Sequence, residues 1–133
     1  MFKIYNINSL LIKIFEALLY VCSPFSNKIE KGIIGRKNSF KKLNLCFKKG
    51  DRIIHIHCAS HGEYLLSKKL IENLKKRFEN HKFLLSFISP SGYENVKSDL
   101  FDCIIYLPLA SNKNCIKFYN IIKPTATFFI KNE

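Results

Sequence analysis

Apolar and polar positions change rhythm at Arg52. From there onward, short β-branched or aromatic runs alternate with stretches of helical periodicity. Strands are expected at Arg52–Cys58, Lys82–Ile88, Cys103–Leu107 and Thr125–Ile130, with helices at about 62–79, 91–99 and 112–122 between them. Alternation of this kind predicts an α/β fold with a parallel sheet and crossover helices. In the first of these helices Leu66, Leu70, Leu74 and Phe78 recur at helical spacing and are expected to pack on the sheet, with Lys68, Glu72, Lys75 and Lys76 on the other faces. Its start, Ser60-His61-Gly62-Glu63, matches a capping box, in which the serine oxygen accepts from an amide one turn in and the glutamate reaches back. Ser91 is expected to cap the second helix, and Pro124 to block the third and lead into the last strand.

Ahead of this region, residues 9–23 are strongly apolar but broken by Lys13 and Glu16. As a helix they cover roughly 20 Å against about 30 Å of hydrocarbon, too short to span comfortably. Lys13 and Glu16 share one face, which leaves Leu11, Ile14, Leu18 and Val21 on a broad apolar surface. That surface suits either a membrane interface or packing against protein. No small-x-small cleavage site follows, so a signal peptide is not expected. Pro24 ends the run, and a basic stretch from Lys28 to Lys49 follows. The expected organisation is an apolar, membrane-associating helix over 1–27, a basic connecting segment over 28–51 and a sheet domain over 52–133.

The chain has 133 residues, about one domain, with 47% hydrophobic residues and no tryptophan, a composition that folds. A net charge of +12 invites an anionic partner, yet most of it is lysine at surface-tolerant positions. No compact Lys/Arg cluster with interleaved aromatics marks a nucleic-acid face, and no nucleic-acid partner is expected. The five cysteines are odd in number and widely spaced without a CxxC, which suggests neither a disulfide framework nor a zinc site. His55 and His57 share one side of the first strand; without a third ligand at suitable spacing, packing or hydrogen bonding is favoured over a metal pair.

The unusual residues fall at the carboxyl ends of the expected strands. Cys58-Ala59-Ser60-His61-Gly62-Glu63 follows the first, Ser89-Pro90-Ser91-Gly92-Tyr93-Glu94 the second, Pro108-Leu109-Ala110-Ser111 the third and Lys131-Asn132-Glu133 the fourth. In an open α/β sheet that rim is where ligands bind, so these turns converge on one crevice.

Four stretches in this order, Gly35-Arg36-Lys37-Asn38-Ser39-Phe40, His57 to Glu63, Ser89 to Glu94 and Tyr106-Leu107-Pro108-Leu109, resemble the N-terminal domain of the bacterial 3-deoxy-D-manno-octulosonic acid (Kdo) transferases. The resemblance covers nearly the whole chain. It implies a Rossmann-like domain, the N-terminal half of a type-B glycosyltransferase fold, in an enzyme that transfers Kdo from CMP-Kdo to a lipid A precursor without a cofactor. It also implies work at the cytoplasmic face of the inner membrane, held by the apolar N-terminal segment, with the basic stretch facing a phosphorylated glycolipid.

By the same resemblance Glu63 is the general base, a role that a bare reading of the sequence would give to a helix cap instead. A helix N-terminus keeps that carboxylate ionised while lowering its basicity. Ser60, Gly62, Ser89, Ser91 and Gly92 are placed to offer hydroxyls and amides to sugar or phosphate oxygens, or to serve as ordinary turn and cap residues. Tyr93 either stacks on a sugar or packs on the sheet edge. Arg36 either meets a phosphate or is a solvated surface residue. Glu133 matches an acidic residue that the family places after its fourth strand.

Three features depart from the family pattern: His61 stands where an aliphatic residue is usual, Ala110 where an aspartate is typical, and the second, CMP-sugar-binding lobe is expected to be absent. The chain is therefore expected to be inactive alone, as a domain, as one part of a split enzyme completed by a separate C-terminal donor lobe, or as the product of a truncated gene. The alternatives are a non-catalytic, membrane-associated glycolipid-binding module and a small basic protein for nucleotide or nucleic acid. The lack of a GxGxxG or P-loop glycine pattern counts against the last.

Overall fold

The computed structural model describes residues 10–11, 13–14, 17–18 and 27–131. Of the apolar N-terminal run, Leu10, Leu11, Lys13, Ile14, Ala17 and Leu18 are described, and they are helical and exposed. The rest of that expected helix, and Glu133, lie outside the described residues.

The remaining elements follow in the order α1 (Asn27–Cys46), β1 (Ile53–Cys58), α2 (His61–Arg77), β2 (Lys82–Phe87), α3 (Pro90–Asn95), β3 (Cys103–Tyr106), α4 (Asn112–Ile122) and β4 (Ala126–Ile130). The four strands form one sheet in the order β3-β2-β1-β4. All three pairings are parallel, with Ile56 opposite Leu85 on one side of β1 and opposite Phe128 on the other. The expected α/β alternation is thus present, and each strand lies within one residue of its expected bounds.

Alternate residues of the strands feed two cores, as the period-2 geometry of a doubly covered sheet requires. Ile54, Ile56, Cys58, Phe83, Leu85 and Phe87 pack with Tyr64, Ile71 and Leu74 of α2 and with Val96 after α3. Ile53, Leu84, Cys103 and Ile105 point the opposite way and meet Leu43 and Phe47 of the α1 region and Ile122 of α4. The buried stripe of α2 is therefore Tyr64, Ser67, Ile71 and Leu74. It is not the expected Leu66, Leu70, Leu74 and Phe78, since Leu66 and Leu70 are exposed. Ser67 is accommodated in that stripe because its hydroxyl donates to the Tyr64 carbonyl at 2.9 Å.

Most of the basic segment over 28–51, expected to connect the N-terminal helix to the sheet domain, is α1, packed across β3. Its sheet-facing side carries small residues: Gly35 lies so close to the Tyr106 ring that a Cβ would collide with it. Ser39, four residues on and 1% exposed, donates to the Tyr106 carbonyl at 2.6 Å, with the Gly35 carbonyl 3.0 Å away. Leu43 and Phe47 continue the stripe into the second core. A helix that docks through glycine and serine gives little apolar periodicity, which is why its pattern read as a connector.

α3 also differs from expectation. It starts at Pro90, with Ser89 rather than Ser91 at the N-cap position and without a side-chain cap bond. A proline in the first turn needs no amide partner, so the start is set by ring geometry. The helix ends at Asn95 because Val96 and Phe101 are drawn into the first core. At α4, Ser111 caps the N-terminus and Lys123, in the left-handed region at φ 34°, closes the C-terminus just before Pro124.

Candidate functional site

The strand order reverses at β1, with β2 and β3 to one side and β4 to the other. In open α/β sheets such a switch point opens a crevice at the carboxyl ends of the two adjoining strands. Cys58 ends β1 there, paired with Ile130 of β4, and Ala59 and Ser60 follow.

Ser60 takes extended backbone angles (φ −140°, ψ 170°) and caps α2, its hydroxyl accepting from the Glu63 amide at 3.5 Å. The Glu63 carboxylate folds back so that one oxygen, Oε2, accepts from the amides of both Ala59 and Ser60, the latter at 3.3 Å. The capping box is complete, and it holds the carboxylate, half-buried, against the loop that leaves β1. Both amide bonds go to Oε2, so Oε1 is left to face other groups. Gly62, in the same first turn, is exposed, and a Cβ there would meet only the Ser60 Oγ at 3.9 Å. Packing does not require this glycine; its effect is an unobstructed approach to the start of α2.

The second turn is tied to the first by backbone, the Ser89 amide donating to the Ala59 carbonyl at 3.1 Å. Ser89 and Ser91 bond to each other through their hydroxyls at 2.7 Å. Gly92 is buried with its Cα against the Phe87 ring, where any side chain would collide. Arg36, from α1, donates through Nη2 to the Ile88 carbonyl at 2.7 Å, and its guanidinium lies 5.5 Å from the centre of the Tyr106 ring. Partial burial lowers the Arg36 pKa, but at neutral pH it remains a full cation.

Ser60, Gly62, Glu63, Ser89, Ser91 and Arg36 thus gather on one rim through Ala59 and Ile88. Tyr93 does not join them. It turns towards β3, its ring 4.2 Å from that of Tyr106 and its hydroxyl accepting from Lys42 Nζ at 2.8 Å, which is the packing role. At the third turn, Ser111 supplies the cap that Ala110 cannot, accepting from the Asn114 amide at 3.3 Å.

Beneath the rim lies a polar row whose centre the sequence reading missed. Ser86 of β2 is fully buried, and its hydroxyl sits 2.8 Å from His55 Nε2 and 2.8 Å from His57 Nδ1. One hydroxyl carries one proton, so Ser86 donates to one imidazole and accepts from the other. Burial pushes the His55 pKa down to about 4, with the neighbouring His57 adding to the effect. Burial also lowers that of His57, though the Glu63 carboxylate works against it. Cys58 is held as the thiol, its pKa pushed up to about 11 by burial. It is no nucleophile at neutral pH. The signal for Ser86 was a single serine inside the apolar run Phe83-Leu84-Leu85-Ser86-Phe87, on the strand that pairs with the histidines. Among the described residues no group of three or more His, Cys, Asp or Glu side chains is placed to hold a metal ion, and no helix is long and apolar enough to cross a membrane.

Residues 33–133 match the family model of the 3-deoxy-D-manno-octulosonic-acid transferases. The chain is also 32% identical over 99 residues to the 3-deoxy-D-manno-octulosonic acid transferase of Aquifex aeolicus (strain VF5), an alignment that covers 73% of this chain and 27% of that protein. It therefore spans about a quarter of the length of that relative. With a parallel sheet, a capped glutamate at its carboxyl rim and a family match over most of its length, the chain belongs to the Kdo transferase family and corresponds to the family's N-terminal domain.

Proposed function

We propose that these residues form the acceptor-binding lobe of a glycosyltransferase that moves Kdo from CMP-Kdo to a hydroxyl of a lipid A precursor at the cytoplasmic face of the inner membrane. The observation that carries this reading is the Glu63 carboxylate, held at the switch-point rim by two amides on one oxygen with the other oxygen left over. Capping and catalysis then coexist in one side chain. Oε2 fixes the position, and Oε1 accepts the proton of the sugar hydroxyl as that oxygen bonds to the anomeric carbon of Kdo. The bond from that carbon to the phosphate oxygen breaks, and its electron pair leaves with CMP.

Two amide donors fix the Glu63 carboxylate in place at the rim, where a positioned carboxylate can assist removal of the hydroxyl proton. The acceptor hydroxyl passes its proton to Oε1 as bond formation to the anomeric carbon makes that proton acidic. Ser60, Gly62, Ser89 and Ser91 border the path that a sugar would take to Oε1, and Gly92, buried against Phe87, shapes the turn that carries the two serines. Arg36 lends positive charge near Ile88 for the phosphates of the glycolipid, and Glu133, which lies outside the described residues, is assigned to substrate binding by the family resemblance alone. A donor lobe facing this rim holds CMP-Kdo, and the scheme uses no metal or cofactor.

The test is titration of the isotope-labelled chain with a detergent-dispersed, phosphorylated glucosamine disaccharide lipid. Amide shifts confined to Ala59–Glu63 and Ser89–Gly92 are expected. Shifts elsewhere, or none, overturn the assignment of the rim. When the domain is paired with a donor lobe, transfer from CMP-Kdo is expected, and it should vanish in Glu63→Gln while binding persists. Binding without transfer in the unaltered pair would instead favour a non-catalytic glycolipid-binding module.

A further inference from the structure

α2 keeps a second face that the core does not use, and only Gly62 of the rim falls within it. Its buried stripe is Tyr64, Ser67, Ile71 and Leu74. On the opposite side, Leu65, Leu66 and Leu70 stand 56%, 69% and 46% exposed. At about 100° per residue, these three leucines bound an outward arc of roughly 140° that also holds Lys69, Lys76 and Arg77, all exposed. Glu63 and Glu72, the acidic residues of this helix, fall outside the arc, and both are half-buried. A solvated face would mix both signs of charge and spare its leucines. This one presents apolar side chains among cations without a carboxylate.

We propose that the outward face of α2 docks on an anionic lipid bilayer. Leucines entering the acyl boundary while lysine and arginine stems reach back to headgroup phosphates is how an amphipathic helix lies in an interface. The attraction of each cation to an anionic surface adds to the apolar term and decays within a Debye length. Anionic lipid fits better than a second copy of this chain, whose net charge of +12 would set cation against cation. Leu66 lies three residues beyond Glu63, so docking here holds the rim roughly 5 Å along the helix axis from the bilayer contact. The contact does not depend on the transfer reaction.

The chain contains no tryptophan, which makes Leu66→Trp a unique optical reporter at an exposed site. With vesicles of phosphatidylcholine and phosphatidylglycerol, its emission is expected to shift to the blue and to be quenched by lipid brominated near the headgroup. Both effects should be lost with phosphatidylcholine alone or at high salt. Adding Leu65→Ser and Leu70→Ser should weaken partitioning at least about tenfold with circular dichroism unchanged. An unquenched Trp at position 66, while Ile14→Trp in the same lipid is quenched, would mean that the N-terminal run alone holds the chain, and would overturn the proposal. A blue shift that follows protein concentration without lipid would assign the face to a second copy and overturn it equally.

Discussion

Arg36 donates to the carbonyl oxygen of Ile88 at 2.7 Å, so a helix near the start of the described chain holds the loop that leaves the second strand. The two residues are 52 apart in sequence, and the bond crosses from α1 to the rim. Removing it in Arg36→Ala should lower stability by about 1–2 kcal/mol, from a charged hydrogen bond at a partly exposed site and the guanidinium's contact with Tyr106. Faster amide exchange at Ser89–Gly92, with β1 and β2 unchanged, would locate the effect. Equal protection in both proteins would mean that the loop is held by other contacts. Arg36→Lys should recover only part of the loss, since a single ammonium cannot both reach the carbonyl and keep a planar, delocalised cation over the ring.

Two glycines are predicted to be intolerant for steric rather than conformational reasons. Neither Gly35 nor Gly92 has a left-handed φ, yet a methyl at either would enter an aromatic ring, Tyr106 in one case and Phe87 in the other. Overpacking of this kind costs about 1–3 kcal/mol. Gly62→Ala meets only the Ser60 hydroxyl at 3.9 Å and should leave stability unchanged or slightly raised, alanine being the better helix former. Denaturant midpoints of the three variants should rank accordingly. A destabilised Gly62→Ala would contradict the open approach to the start of α2.

The strands and the capping box were legible in the sequence because each rests on local chemistry. β-branched and aromatic runs such as Ile53-Ile54-His55-Ile56 mark a strand wherever they sit, and Ser60 and Glu63 specify a cap by their spacing alone. What escaped the reading depends on contacts distant in sequence. α1 faces the sheet with Gly35 and Ser39, and only the ring and carbonyl of Tyr106 give those small residues a purpose. In α2 the regular leucines suggested the wrong stripe, because Tyr64 and Ser67 are buried in place of Leu66 and Leu70. Of the site, the Ser60–Glu63 turn was legible, while the tie from Arg36 and the bridging role of Ser86 were not, since each partner lies on another element.

The cap that Glu63 forms and the role of base proposed for it can be separated by substitution. Glutamine keeps a carbonyl oxygen that can accept from the Ala59 and Ser60 amides, so Glu63→Gln should lose less than about 1 kcal/mol, whereas Glu63→Ala gives up the reciprocal cap and should cost about 1 kcal/mol or more. Transfer, in an enzyme completed by its donor lobe, should fall by about 10²–10⁴ in both variants because neither retains a base. Stability curves and turnover measured on the same preparations distinguish the outcomes. Full activity in Glu63→Gln would reduce this residue to a cap.

The shared hydroxyl of Ser86 predicts a pH dependence with a definite sign. His55 has a folded-state pKa near 4 against an ordinary value of 6.5, so below pH 6.5 the unfolded chain binds the proton more readily. Stability contributed by the neutral, buried imidazole is complete above about pH 6.5 and declines as the pH falls towards 4, by roughly 3 kcal/mol in all. The depressed pKa of His57 acts in the same direction. Carboxylates also respond in acid, so the measurement is a comparison: unfolding free energies at neutral and acidic pH for the unaltered chain and for His55→Gln, which keeps a polar partner for Ser86 and does not titrate. The variant should show the shallower slope. Ser86→Ala leaves two buried ring nitrogens without their common partner and should cost about 1–3 kcal/mol even at neutral pH. Parallel slopes for the unaltered chain and His55→Gln would mean that His55 takes up its proton in the folded protein as easily as in the unfolded chain, and the imidazole row would lose its place as the source of acid sensitivity.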